Sequence, residues 1–95
     1  FEDYLSACEK RIGQFFECSR ILKLSTAYNS SLHFPRVTRQ EAEEGFHKLF
    51  HSGYYIDRRE RMFCCDPAFT SYILRFILGL AQEKGMVVQI HTGLQ

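Results

Sequence analysis

A histidine and a lysine, each within a short apolar stretch, are the side chains best suited to chemistry in this sequence. The first stretch, residues 86–93, is rich in β-branched residues and follows Gly85, which predicts a buried strand. Side chains alternate along a strand, so one face of this one is wholly apolar and the other becomes polar toward His91. His91 lies at the C-terminal end, where parallel α/β sheets and barrels place their chemistry. The apolar face comprises Met86, Val88 and Ile90, and the other comprises Val87, Gln89 and His91.

The lysine, Lys23, lies in a second predicted strand at residues 21–28. Lys23 shares a small, polar face with Ser25 and Ala27, opposite an apolar face. Two strands of this kind fit a barrel, because the apolar faces can meet outer helices while the other faces point into the lumen. The loop at residues 29–37 follows directly, at the end of the strand where active-site loops are found.

Each ionisable residue also has a structural interpretation. The structural interpretation of His91 is a neutral histidine in the core that is hydrogen-bonded to a neighbouring carbonyl. Lys23 fits a sheet edge or a pairing with a carboxylate, since an inward ammonium is costly without a partner. His33 and Arg36 are the ionisable residues of the loop, and such residues are more often solvated than involved in ligand binding.

Other metal-ligand candidates have poor spacing. No two of the cysteines have the two-residue gap of a zinc knuckle or redox motif, so we expect four reduced thiols in a cytoplasmic protein. His47 and His51 lie one helical turn apart, but no HExxH pattern accompanies them. A zinc site that combines these histidines with Cys64 and Cys65 is the weakest alternative. The other two cysteines are Cys8 and Cys18.

Three amphipathic helices are predicted, and two of them have clear start signals. Thr38 and Glu41 form a capping box, and Asp66 before Pro67 is a strong helix start. Residues 54–65 are interpreted as irregular, with a short strand or packing patch at 54–56 and a solvated charge run after it. The order is helix, strand, loop, helix, irregular segment, helix and strand, with parallel strands. The predicted helices span residues 1–19, 38–52 and 68–84.

Length and composition limit the function further. The chain has 95 residues and a net charge of +1, which gives no strong attraction to nucleic acid or to a membrane surface. No apolar run reaches the roughly 18 residues of a membrane span, and no signal-peptide pattern is present. The sequence forms one domain at most, and it opens inside a helical pattern and stops just after a predicted strand. Because two strands alone are not a stable sheet, we expect an excised portion of a larger chain.

Four stretches of the sequence together resemble the predicted metal-dependent hydrolases of the amidohydrolase superfamily. The resemblance covers most of the chain, and Val-Gln-Ile-His-Thr-Gly at residues 88–93 is its most specific part. The His-x-His pair of the family's first strand, its later histidine and its eighth-strand aspartate are absent from these residues. The stretches are residues 22–28, 31–32, 41–43 and 88–93.

The resemblance implies that residues 1–95 are a single segment of a (β/α)8 TIM barrel, an α/β fold. His91 matches the fifth-strand histidine that binds the catalytic metal, and Lys23 lies where the fourth strand often carries a lysine or another ligand. As a catalytic residue, Lys23 would bridge metals if it is carbamylated and would contact the substrate by its charge if it is not. The resemblance further implies that Tyr28, Asn29 and His33 line the mouth of a site for a small-molecule substrate. The implied cofactor is a divalent metal ion, with zinc the expected one.

A second hypothesis is a non-catalytic α/β fragment or interaction module whose large aromatic faces bind a partner protein. A His-x-His upstream and an aspartate at a later strand end in the parent chain would favour the hydrolase. If the 95 residues were the whole natural protein, the enzyme would be excluded, because one histidine cannot hold a catalytic metal. The sequence leaves the formation of a homo-oligomer open.

Overall fold

The chain folds into two compact units, one formed by residues 1–32 and 75–95 and the other by residues 33–74. The described residues are of mixed α/β class, with three helices and two parallel strands, which confirms that part of the predicted fold class. The structure, a computed structural model, describes residues 1–25, 33–49, 54–56, 62–64 and 66–92, with the backbone alone at 54–56 and 62–64.

The helices and strands follow the predicted order with one addition, a second short strand in the segment interpreted as irregular. All three predicted helices are present. The helices are α1 (Glu2–Cys18), α2 (Arg39–Leu49) and α3 (Pro67–Glu83). The strands are β1 (Ile21–Leu24), β2 (Tyr54–Ile56), β3 (Met62–Cys64) and β4 (Val87–Ile90).

The strands β1 and β4 pair in parallel, as predicted. Ile21 lies opposite Val87, and the register continues to Leu24 opposite Ile90. The ladder also includes Arg20, just before β1, and His91, just after β4. The N–H of Val87 donates to the carbonyl of Arg20 at 2.8 Å, and that of His91 donates to the carbonyl of Leu24 at 2.9 Å. The predicted remainder of the first strand, residues 26–28, lies outside the described residues.

The core of the first unit packs α1 and the C-terminal half of α3 against one face of this sheet. Ile12, Leu80, Ala81 and Met86 are buried in one cluster, and Leu22 and Val88 of the sheet are among the partly buried residues packed against it. Side chains alternate along the strands, so the predicted apolar faces are the packed ones. The other partly buried members are Phe16, Phe76 and Ile77.

The opposite face of the same sheet is uncovered by the described residues. Ile21 and Val87, which are paired, have 53% and 62% of their surface exposed, and the next pair, Lys23 and Gln89, is exposed as well. Ile90, assigned from the sequence to the packed face, is 39% exposed because it is the last residue of the strand. Among the residues that the structure describes, the sheet is therefore covered on one side and accessible on the other.

The turn from α3 into β4 is fixed by the glycine that the sequence assigned to it. Gly85 has a φ of +66°, a conformation that residues with a Cβ rarely adopt. Its N–H donates to the carbonyl of Gln82 at 3.1 Å, and the N–H of Met86 donates to the carbonyl of Ala81 at 2.9 Å. These bonds form a Schellman motif, whose hydrophobic contact is that of Met86 and Ala81 in the core cluster.

The second unit is built on α2 and the N-terminal half of α3. Asp66 caps α3, because its Oδ1 accepts a hydrogen bond of 2.8 Å from the backbone N–H of Phe69. The Phe46 and Phe69 rings lie 5.6 Å apart between centroids, and Ala42 is fully buried. The buried glycine of α2, Gly45, lies against the Asp66 carboxylate.

The segment interpreted as irregular contains an antiparallel hairpin of β2 and β3, so that interpretation was wrong in part. Tyr54 lies opposite Cys64 and Ile56 opposite Met62. Strands of three residues are too short for a period-two pattern, and their pairing depends on the partner strand rather than on local sequence. The charged residues 57–61 lie outside the described residues.

Replacing Thr38 by alanine should lower the free energy of unfolding by about 1 kcal/mol. The predicted capping box is present: Thr38 Oγ1 accepts from the Glu41 N–H at 3.1 Å, and Glu41 Oε1 accepts from the Thr38 N–H at 3.1 Å. The variant would lose the bond that the hydroxyl accepts from the Glu41 N–H and the one of 3.0 Å that it donates to Glu41 Oε1, while the backbone N–H of residue 38 remains. Urea denaturation monitored by circular dichroism measures the change, and Thr38→Ser, which keeps the hydroxyl, is the control. An equal loss in both variants would contradict a capping role.

Candidate functional site

Lys23 lies on the uncovered face of the β1–β4 sheet. Leu22 and Leu24 turn toward the core, so strand alternation places Lys23 on the accessible side, where its side chain is exposed. The register pairs Lys23 with Gln89 of the neighbouring strand. The sequence assigned Gln89 to the same strand face as His91 but gave it no functional role, because only the pairing of the strands shows that its amide is the direct neighbour of Lys23.

His91 is half-buried and lies just beyond the C-terminal end of β4. Its backbone N–H bonds to the Leu24 carbonyl, so the chain is still extended there. It follows Gln89 by two positions, which corresponds to about 7 Å along the strand. Lys23 and His91 therefore belong to adjacent parallel strands, near the C-terminal ends of both.

The five residues proposed from the sequence are only partly brought together within the described residues. Lys23 and His91 lie on neighbouring strands of the first unit. His33 is exposed and belongs to the second unit. Tyr28 and Asn29 lie outside the described residues, so their predicted contact with substrate stays a prediction.

A complete metal site is not formed by the described residues. Among them, no three histidine, cysteine, aspartate or glutamate side chains group closely enough to hold an ion. A catalytic zinc takes three protein ligands, so His91 fits such a site as one imidazole donor and needs others. The alternative zinc site is also incomplete here, because His47 is exposed on α2 while His51 and the thiols of Cys64 and Cys65 are not described.

A groove lies beside α1 in the first unit, and we call it the α1 groove. Its volume is about 250 Å³. Burial raises the pKa of the Cys8 thiol, and a hydrogen bond with Tyr4 partly offsets this, so the thiol is neutral at pH 7. Cys8 and Cys18 are both free, as expected for reduced cysteines. The groove is lined by Tyr4, Ala7, Cys8, Arg11, Ile12 and Ile77.

Comparison of the chain with protein-family profiles, with curated proteins and with solved structures found no match. Within the part of the chain that the structure describes, none of the helices has the length and apolar character needed to cross a bilayer.

Proposed function

We propose that this chain forms the fourth and fifth strands, with their helices, of a (β/α)8 barrel in a metal-dependent hydrolase of the amidohydrolase superfamily. The observation that carries the proposal is the parallel pairing of β1 with β4, with the helices of the described residues packed on one face of the pair. In a barrel, neighbouring strands are parallel, and their outer face is covered by the helices that connect them.

The uncovered face of the sheet supports the same proposal. Parallel sheets are normally covered on both faces, and two strands alone are marginal in water. Ile21 and Val87 leave more than half of their surface exposed on this face. In a closed barrel these side chains would fill the lumen against residues from the other six strands. Those strands would come from parts of the protein beyond these 95 residues.

The polar residues of this face lie at the end of the strands where barrel enzymes place their chemistry. Apolar side chains occupy its N-terminal part, at Ile21 and Val87, and Lys23 and Gln89 follow them. His91 comes next and would supply one imidazole ligand to a divalent ion, with zinc the expected one. The lysine ammonium would contact an anionic group of a small-molecule substrate.

The metal, when bound, would supply a water whose pKa is lowered to about 7. Its other ligands would come from the remaining strands. The chain's own residues position and contact the substrate: Lys23 by its charge, and the loop residues Tyr28, Asn29 and His33 at the mouth of the barrel. Strand residues hold a site more rigidly than loop residues, which suits His91 to the metal and the loop to substrate contacts.

The zinc content of the purified protein at its natural length tests this proposal. We expect His91→Ala to weaken zinc binding at least about tenfold, because the variant removes one of a small number of ligands. Elemental analysis after dialysis against a metal buffer measures the change. His47→Ala is the matched control, since this exposed histidine belongs to the other unit. Unchanged zinc in His91→Ala would remove His91 from the site, and a wild-type protein without bound metal would contradict the hydrolase.

A further inference from the structure

The α1 groove has the composition of a protein-binding surface and is not used by the proposed active site. Its lining surface is almost entirely apolar, and the side chains of Tyr4 and Arg11 are among those that form it. Tyr4 keeps 39% of its surface exposed. Aromatic and arginine side chains are the types enriched at interfaces between proteins. At about 250 Å³ the groove is also smaller than the roughly 300–1,000 Å³ of drug-sized ligand pockets.

The charges of α1 beside the groove are arranged symmetrically about a small residue. Asp3, Ala7 and Arg11 follow each other at intervals of four, so they lie on one side of the helix, and all three are exposed. An acidic residue and a basic residue therefore lie four positions before and four positions after Ala7 along the helix. A second α1 that crosses in the opposite direction, with Ala7 facing Ala7, would bring Asp3 of each copy to Arg11 of the other.

We propose that the α1 groove is the interface of a homodimer in which two copies of α1 pair antiparallel about Ala7. The occupant of the groove is Tyr4 of the second copy, which this geometry places between Ala7 and Arg11. The contact is isologous, because each surface supplies the same acidic, small and basic positions to the other. The small side chain of Ala7 permits close approach of the helices at the crossing point. This dimer does not depend on the hydrolase proposal, because it uses neither Lys23 nor His91.

Charge reversal tests the pairing. Asp3→Arg and Arg11→Asp each place like charges opposite one another at two symmetry-related positions. We expect either variant to weaken the dimer at least about tenfold, since repulsion replaces attraction twice. Sedimentation equilibrium at low salt measures the dissociation constant, and added salt should weaken the wild-type dimer.

Mixing the two variants gives the sharpest result. In a heterodimer of Asp3→Arg with Arg11→Asp, every basic position faces an acidic one, so the mixture should dimerise more tightly than either variant alone. Glu9→Arg is the matched control. It changes the charge by the same amount as Asp3→Arg, but Glu9 is two positions from Ala7 and therefore lies about 200° around the helix from it. The control should dimerise like the wild type.

Three outcomes would overturn the proposal. A wild-type protein that stays monomeric at the highest attainable concentration would exclude the homodimer. A dimer that resists both reversals would place the interface elsewhere, and a mixture that stays monomeric would exclude the antiparallel pairing. If a reversal prevents folding by circular dichroism, the neutral variants Asp3→Asn and Arg11→Gln replace it, and each should still weaken the dimer.

Discussion

Leu80→Ala should lower the free energy of unfolding by about 2–5 kcal/mol, the range for truncating a buried leucine side chain in a packed core. Leu80 is 8% exposed and belongs to the cluster with Ile12, Ala81 and Met86, which joins both helices of the first unit to the sheet. The variant would leave a cavity that this cluster fills only in part, because Ala81 is small and Met86 is fixed by the turn at Gly85. Urea denaturation gives the change from the shift in midpoint.

The control for this prediction is a deletion of similar size on the other face of the sheet. Ile21 is 53% exposed, so Ile21→Ala should cost far less than Leu80→Ala in the same chain. Equal losses would mean that the face bearing Ile21 is covered in solution. In the protein at its natural length, the proposed barrel predicts losses of similar size for the two variants, because Ile21 would then lie in the lumen.

Gly45→Ala should lower the free energy of unfolding by about 1–2 kcal/mol, although alanine is favoured over glycine in a helix by about 1 kcal/mol. A Cβ at position 45 would collide with the Asp66 carboxylate. Asp66 has a short side chain, and its Oδ1 is held by the N–H of Phe69 at 2.8 Å, so moving it breaks the cap of α3. A lost cap costs about 1–2 kcal/mol, and displacement of a partly buried carboxylate adds to that.

A double-mutant cycle isolates this collision. Asp66→Ala removes both the cap and the obstacle, so Gly45→Ala in that background should become neutral or stabilising. Gly13→Ala and Gly79→Ala are matched controls, because nothing lies within 4 Å of a Cβ built at either position. Both should raise stability by up to about 1 kcal/mol. A loss for Gly45→Ala that persists in the Asp66→Ala background would contradict the steric explanation.

The start signals of α2 and α3 could be predicted because both are local. The Thr38–Glu41 capping box and the Asp66 bond to Phe69 each join residues three positions apart, so the sequence contains all the partners. The hairpin was missed for the opposite reason. Each of its strands has three residues, and strands this short are defined only by their pairing with each other.

The candidate site divides in the same way. The period-two pattern assigned Lys23 and His91 each to the face of its strand opposite the apolar one. The pairing of Lys23 with Gln89 depends on a register between segments more than sixty positions apart, which no local pattern contains. The contact of Gly45 with Asp66 and the α1 groove likewise require distant segments to meet.

Local sequence was sufficient to predict where α2 and α3 begin, where the chain turns at Gly85 and which face of each parallel strand is apolar. These features follow from hydrogen bonds and side-chain alternation within a few residues. The tertiary structure was needed to show which strands are neighbours, which face of the sheet the described residues cover, and that Ala7 and Arg11 line a groove. Those features depend on the packing of elements distant in the chain, and the free energy of that packing comes from many side chains together.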